Sequence, residues 1–128
     1  DPVTRLPNRL RFVSRLDALI VRGGGRPFHL AICDLDGFRK INVAHGPYVA
    51  DQVLAEIAER LRAAAASVSA EGLFVGRLGA DQFAVLAQVE GAQVDAFLAR
   101  AEEAVRQPIH AGGGQLQLTA AFGAARFP

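Results

Sequence analysis

Two short apolar runs, Leu73-Phe74-Val75-Gly76 and Ala84-Val85-Leu86-Ala87, flank the segment Arg77-Leu78-Gly79-Ala80-Asp81-Gln82-Phe83. Strand, tight glycine-containing turn, strand is a β-hairpin pattern, and it commits the chain to a sheet. The turn carries a carboxylate, Asp81, at its tip. Taken alone, an acid there is ordinary turn chemistry. A second acidic element, Cys33-Asp34-Leu35-Asp36, ends an apolar run that starts at Phe28. Two strand-end acids that meet across a sheet can hold a divalent metal against phosphates.

The rest of the chain supplies helices and further strands. Leu6, Leu10, Val13, Leu16 and Ile20 recur at helical spacing, which predicts a helix from near Pro7 to the Gly23-Gly24-Gly25-Arg26-Pro27 break. Phe28 to Cys33 reads as a buried strand. Asp36 to Asn42 predicts a short helix, with Asp36 as its N-cap. His45-Gly46-Pro47 interrupts it. A long helix follows, with Val49, Val53, Leu54, Ile57 and Leu61 along one stripe and the alanines 63–66 continuing it. Val94, Phe97, Leu98, Ala101 and Val105 mark another amphipathic helix. Pro108–His110 and Leu116–Phe122 read as two strands around the Gly112-Gly113-Gly114 turn. The expected architecture is α+β: a central, mostly antiparallel sheet flanked by helices. It is close to the ferredoxin-like arrangement, with the helices on one face.

Bulk properties narrow the function classes. The 128 residues are the size of one domain, and 51% of them are hydrophobic, so a core forms without metals or disulfides. Cys33 is the single cysteine, so no internal bridge exists and a reducing, cytoplasmic setting fits. A net charge of +1 gives no bias toward nucleic acid or membrane. No apolar run is long enough to span a bilayer and no signal peptide is visible. The chain holds no methionine and stops at Pro128 after a strand-like run. Both facts point to a domain excised from a larger protein, whose other parts could include a membrane anchor. Cys33 itself reads as a buried small hydrophobe, and His29 and His110 as surface or edge residues.

Four segments and a closing strand, in order, resemble the GGDEF family, the catalytic domain of diguanylate cyclases. Asp1-Pro2-Val3-Thr4-Arg5-Leu6-Pro7-Asn8-Arg9 resembles DxLTGLPNR. Asp34 to Asn42 resembles DxDxFKxIN. His45-Gly46 through Asp51 resembles a worn GHxxGD. Arg77 to Phe83 resembles RxGGDEF, and Leu118 to Gly123 resembles (V/L)TxSxG. The resemblance implies a nucleotidyl-cyclase-like fold. It also implies a reaction in which two domains meet face to face and condense two GTP molecules to cyclic di-GMP with Mg²⁺. Carried over by position, Asp34, the Leu35 carbonyl and Asp81 hold the metal. Asn42 and Asp51 read the guanine edge, and Phe38 and Arg39 face the phosphates.

The departures bear on activity. Ala80 stands for the second signature glycine, where a methyl crowds the nucleotide and strains the turn if the position needs φ > 0. Gln82 stands for the last signature acid. Val43, Pro47, Ala50 and Arg5 replace further motif residues. Ala70 and Leu73 occupy the positions of the family's RxxD inhibitory site, so none is expected. The family's last helix, with its phosphate-binding lysine and arginine, would follow Pro128. The resulting expectation is a degenerate GGDEF domain, signature Gly79-Ala80-Asp81-Gln82-Phe83, with little or no cyclase activity. It would act as a GTP- or GDP-binding or dimerising regulatory module beside a neighbour such as an EAL or sensor domain. The alternative is an active diguanylate cyclase, and the two stay open at this point. Nucleic-acid binding and direct membrane contact are not expected.

Overall fold

The computed structural model describes residues 1–23 and 25–128. The elements are α1 (Arg9–Arg22), β1 (Phe28–Asp36), α2 (Phe38–Val68), β2 (Leu73–Arg77), β3 (Gln82–Ala87), α3 (Gly91–Arg106), β4 (Ile109–Ala111), β5 (Gly114–Leu116) and β6 (Thr119–Phe127). Four strands form one antiparallel sheet in the order β2-β3-β1-β6, so β1 is interior and β6 is an edge.

Helix α1 starts at Arg9 because the Asn8 side chain caps it, accepting from the Arg11 N–H at 3.0 Å. Pro7 therefore lies before the cap and not in the first turn. At its other end Gly23 follows the last turn, and Gly24 of the expected break lies outside the described residues. The expected interruption at His45-Gly46-Pro47 is present within α2. Gly46 takes φ 86° and ψ 169°, outside the helical region and in one favoured by glycine, and so α2 is two helices joined at a kink.

The helices do not share one face of the sheet. Strand β1 is apolar at consecutive positions, which is the pattern of a strand covered on both sides. Ala31, Cys33 and Leu35 join Val75, Phe83 and Val85 in a core closed by Val53, Ile57 and Leu61 of α2 and Phe97, Ala101 and Val105 of α3. Phe28 joins Ala84 and Leu86 on the opposite face under Phe12 of α1, with Leu16, Leu19, Leu30 and Ile32 packed around them. Arg60 of α2 ties the end of α3 in place by donating to the carbonyls of Ala104, Gln107 and Pro108 at 2.7–2.8 Å.

The chain after α3 also departs from expectation. The anticipated strand Leu116–Phe122 is divided. Leu116 ends β5, which pairs with β4 in a separate two-stranded sheet, and β6 begins at Thr119 and pairs with β1. Gly112 and Gly113 both take positive φ, 62° and 78°, which closes a two-residue turn. A strand held that tightly against β4 cannot also extend along β1 without a break.

Candidate functional site

The end of β1 and the tip of the β2–β3 hairpin lie together. Asp34 and Gln82 are directly opposed in the β1–β3 register. One residue further on, the Leu35 N–H donates to the Asp81 carbonyl at 3.0 Å. The main chain at Asp34, Leu35 and Asp81 is therefore brought to one place. Asp34 is exposed, Asp81 half-buried and Leu35 buried, which leaves Leu35 its main chain as the available ligand. Gln82 joins them. Its Nε2 donates to Asp34 Oδ2 at 3.4 Å.

The hairpin tip is shaped by Arg77. Its Nε donates to the Gly79 carbonyl and its Nη2 to the Ala80 carbonyl, both at 2.9 Å, while Nη1 pairs with Asp1 Oδ2 at 3.0 Å. Asp1 in turn accepts from the Thr4 N–H at 2.9 Å and the Thr4 hydroxyl at 2.6 Å, and Thr4 is buried. The Arg77 N–H also reaches the Pro7 carbonyl at 2.9 Å. The opening turn and the signature hairpin are thus one braced unit. Burial lowers the affinity of the Arg77 guanidinium for its proton, and the Asp51 carboxylate acts in the opposite direction.

Sequence reasoning did not assign this brace. Asp1 and Arg77 are separated by 76 positions, and nothing local to either one announces the pair. The same geometry corrects the expectation for Ala80. Neither Gly79 nor Ala80 takes a positive φ, so the alanine introduces no backbone strain there. The strained position is Arg5, at φ 60°, the single non-glycine residue with positive φ among those described.

Asp36 does not cap α2. Gly37, at φ 79°, occupies the cap position without a side-chain hydrogen bond, and Asp36 accepts from the Thr119 hydroxyl at 3.0 Å, tying β1 to β6. Phe38 begins α2 with its ring buried, so only its main chain can face a ligand. Arg39, Asn42 and Asp51 are exposed along α2, with Asn42 before the Gly46 kink and Asp51 after it. A surface cavity of about 460 Å³ opens beside Gly37, Arg39, Lys40 and Val43, and it is lined almost entirely by apolar atoms, the aliphatic stems of Arg39 and Lys40 among them. His29 is half-buried on the interior strand β1 and not at an edge, and its Nδ1 is buried without a partner; His110 is exposed as expected. Cys33 is buried. Desolvation first, then Asp34 and Asp36, push its thiol up to about 12, so it remains protonated and unreactive at neutral pH.

The fold and the sequence both have counterparts among known proteins. The family model described as diguanylate cyclase, GGDEF domain, matches residues 1–128. The chain belongs to the GGDEF domain family. It is 33% identical over its whole length to the bifunctional diguanylate cyclase/cyclic di-GMP phosphodiesterase MucR of Pseudomonas aeruginosa, covering 18% of that protein. It is 32% identical over 99% of its length to diguanylate cyclase DgcP of the same organism, covering 19% of it. This GGDEF domain therefore spans about a fifth of the length of those curated relatives. Among solved structures, diguanylate cyclase SiaD of Pseudomonas aeruginosa, crystallised with its activator SiaC, superposes with a TM-score of 0.88 at 31% identity, matching all of this chain and 49% of that one. The FimX GGDEF domain from Pseudomonas aeruginosa gives 0.86 at 28% identity, over 98% of this chain and 78% of that one.

The donor set can be tested against a metal. Asp34 and Asp81 would offer carboxylates and Leu35 a carbonyl, and no group of three or more His, Cys, Asp or Glu side chains gathers among the described residues. That suits Mg²⁺, which keeps several waters and binds through one or two carboxylates plus substrate phosphates. It does not suit a metal that needs an all-protein cage. Among the described residues no helix is long and apolar enough to cross a membrane.

Proposed function

We propose that this GGDEF domain is a regulatory module of a cyclic di-GMP signalling protein, binding GTP or GDP together with Mg²⁺ and making little or no cyclic di-GMP. One observation carries the loss of activity. The side chain at the signature's last acid position is the neutral amide of Gln82, and it meets the Asp34 carboxylate as a hydrogen-bond donor where a carboxylate would add charge. The Ala80 methyl at the exposed tip adds a steric obstacle to close approach of a nucleotide. Retention of binding is supported by the junction of the main chain at Asp34, Leu35 and Asp81 and by the exposed Arg39, Asn42 and Asp51.

In this reading Asp34, Asp81 and the Leu35 carbonyl hold Mg²⁺, which offsets the charge of the triphosphate. Asp51 and Asn42 hydrogen-bond the guanine edge. Arg39 and the main chain at Phe38 hold the phosphates, with Arg39 presenting its charge as a planar fork. The module works in the cytoplasm, as a dimer or through a neighbouring domain such as an EAL or sensor domain.

The opposite reading, a working cyclase, draws on the retention of both Asp34 and Asp81. The full-length protein incubated with GTP and Mg²⁺ separates them. The expected result is nucleotide binding by calorimetry with no cyclic di-GMP detectable by chromatography, and product in the Ala80→Gly/Gln82→Glu double variant. Turnover by the unaltered protein that is abolished by Asp81→Ala would establish the cyclase instead. Absence of binding at millimolar nucleotide would leave only a dimerisation role.

A further inference from the structure

We infer that the outer face of α1 is a contact between two copies of this chain, an antiparallel pair of α1 helices related by a two-fold axis. The contact uses none of the residues proposed to hold nucleotide, and the two readings stand independently.

Leu10, Val13 and Ile20 recur at helical spacing in the sequence, yet they are not what holds α1 to the sheet. Phe12 is buried there, with Leu16 and Leu19 packed around the same cluster. Successive helical residues turn by about 100°, so Leu10, Ser14, Asp17 and Val21 run down the opposite side. All four are exposed, Leu10 and Val21 at 79% each. Val13 and Ile20, also exposed, border this line. Four of the seven large apolar side chains exposed among the described residues thus sit on one helix. None of the ion pairs among the described residues includes Asp17.

The line advances by four, three and four residues, the spacing of a coiled-coil seam. It complements itself when two copies run antiparallel with the axis between Arg15 and Leu16. Leu10 then lies against Val21 of the second copy, at both ends of the pair. Ser14 lies against Asp17, where its hydroxyl can donate to the carboxylate. Val13 meets Ile20 along one border, and Arg11 meets Ala18 along the other. A parallel pair would instead set Asp17 against Asp17, two like charges face to face. Arg15 is engaged elsewhere, 5.1 Å from the Phe74 ring centre. A lipid surface fits this face less well, because it would desolvate Asp17 without giving it a partner. A helix of 14 residues is about 21 Å long, and one pair of that length buries less than the roughly 1,000 Å² of a lasting interface. The dimer is therefore weak and forms when copies are concentrated or tethered.

Register makes the contact testable. Cys33 is the one cysteine and it is buried, so a cysteine placed on α1 reports alone. Under mild oxidation, Leu10→Cys protein mixed with Val21→Cys protein is expected to cross-link at least about fivefold faster than either variant by itself. In the antiparallel pair, position 10 is about 16 Å along the axis from position 10 of the second copy, too far for a disulfide. Sedimentation equilibrium up to about 1 mM should show a concentration-dependent dimer. Val21→Glu, at an exposed position and checked for folding by circular dichroism, should weaken that dimer at least about tenfold, because the new carboxylate is buried without a partner. Equal cross-linking of each variant with itself, or a monomer at every concentration, overturns the antiparallel contact and gives the face to another occupant. A dimer that Val21→Glu leaves unchanged also overturns it, since the copies then meet elsewhere.

Discussion

The molecule closes two β-hairpins by different means. At β4–β5 the turn is a property of the main chain: Gly112 and Gly113 take positive φ, and the arms pair immediately, Ala111 against Gly114. At β2–β3 no residue from Leu78 to Asp81 takes positive φ, and a side chain does the work. Arg77 folds over its own turn, holds two of its carbonyls, and anchors the whole to Asp1. A glycine turn is local and independent of the rest of the fold. A turn held by an arginine is only as well placed as the arginine's other partner. The candidate site is built on the second kind, so the position of Asp81 depends on the opening turn of the chain.

Four substitutions press on this difference. The largest effect is expected from Arg77→Ala. It removes two carbonyl contacts and leaves the half-buried Asp1 carboxylate without its cation, so the unfolding free energy by urea titration should fall by about 2–3 kcal/mol. A loss under about 0.5 kcal/mol would show that the brace is ornamental. Next comes Gly113→Ala, in open space at φ 78°. It should cost about 1–2 kcal/mol of backbone strain and nothing from packing.

Arg5→Gly runs the other way. Relief of the positive φ at Arg5 outweighs the extra freedom glycine gives the unfolded chain, so the protein should gain about 0.5–1 kcal/mol and melt at higher temperature. A lower melting temperature would mean that the arginine side chain contributes more than its backbone costs. The smallest effect belongs to Gly79→Ala. Its φ is not positive and an added Cβ would find its nearest neighbour, Gln82 Cβ, at 4.0 Å, so stability should change by less than about 0.5 kcal/mol. A cost like that of Gly113→Ala would erase the contrast between the two hairpins.

Much of the fold was legible in the sequence, because its signals are local. The stripes Val53-Leu54-Ile57-Leu61 and Val94-Phe97-Ala101-Val105 declare helices, and both stripes are buried as expected. The kink at Gly46 and the hairpin at 73–87 were likewise written in glycine, proline and apolar runs. The face assignment was not. The consecutive apolar residues of β1 contain the information that it is covered on both sides, but the alternation of single residues does not say which helix lies on which face. The division of the last expected strand was hidden as well, since β5 and β6 differ in partner and not in composition.

The candidate site divides along the same line. By itself the sequence determined which groups are available: carboxylates at Asp34, Asp81 and Asp51, an amide at Asn42, cations at Arg39 and Lys40, a glutamine at position 82, and a pattern sufficient to expect the GGDEF family. Residue identity alone carries that chemistry. Only the tertiary structure decided that Gln82 turns its donor toward Asp34, that Asp36 serves Thr119 and not a helix end, and that Arg77 ties the signature to Asp1. It also decided that the strained substitution is Arg5 and not Ala80. These are facts of cross-strand register, of φ at one residue and of contacts between positions far apart in the chain. Such quantities exist only once the sheet has closed and set one strand against another.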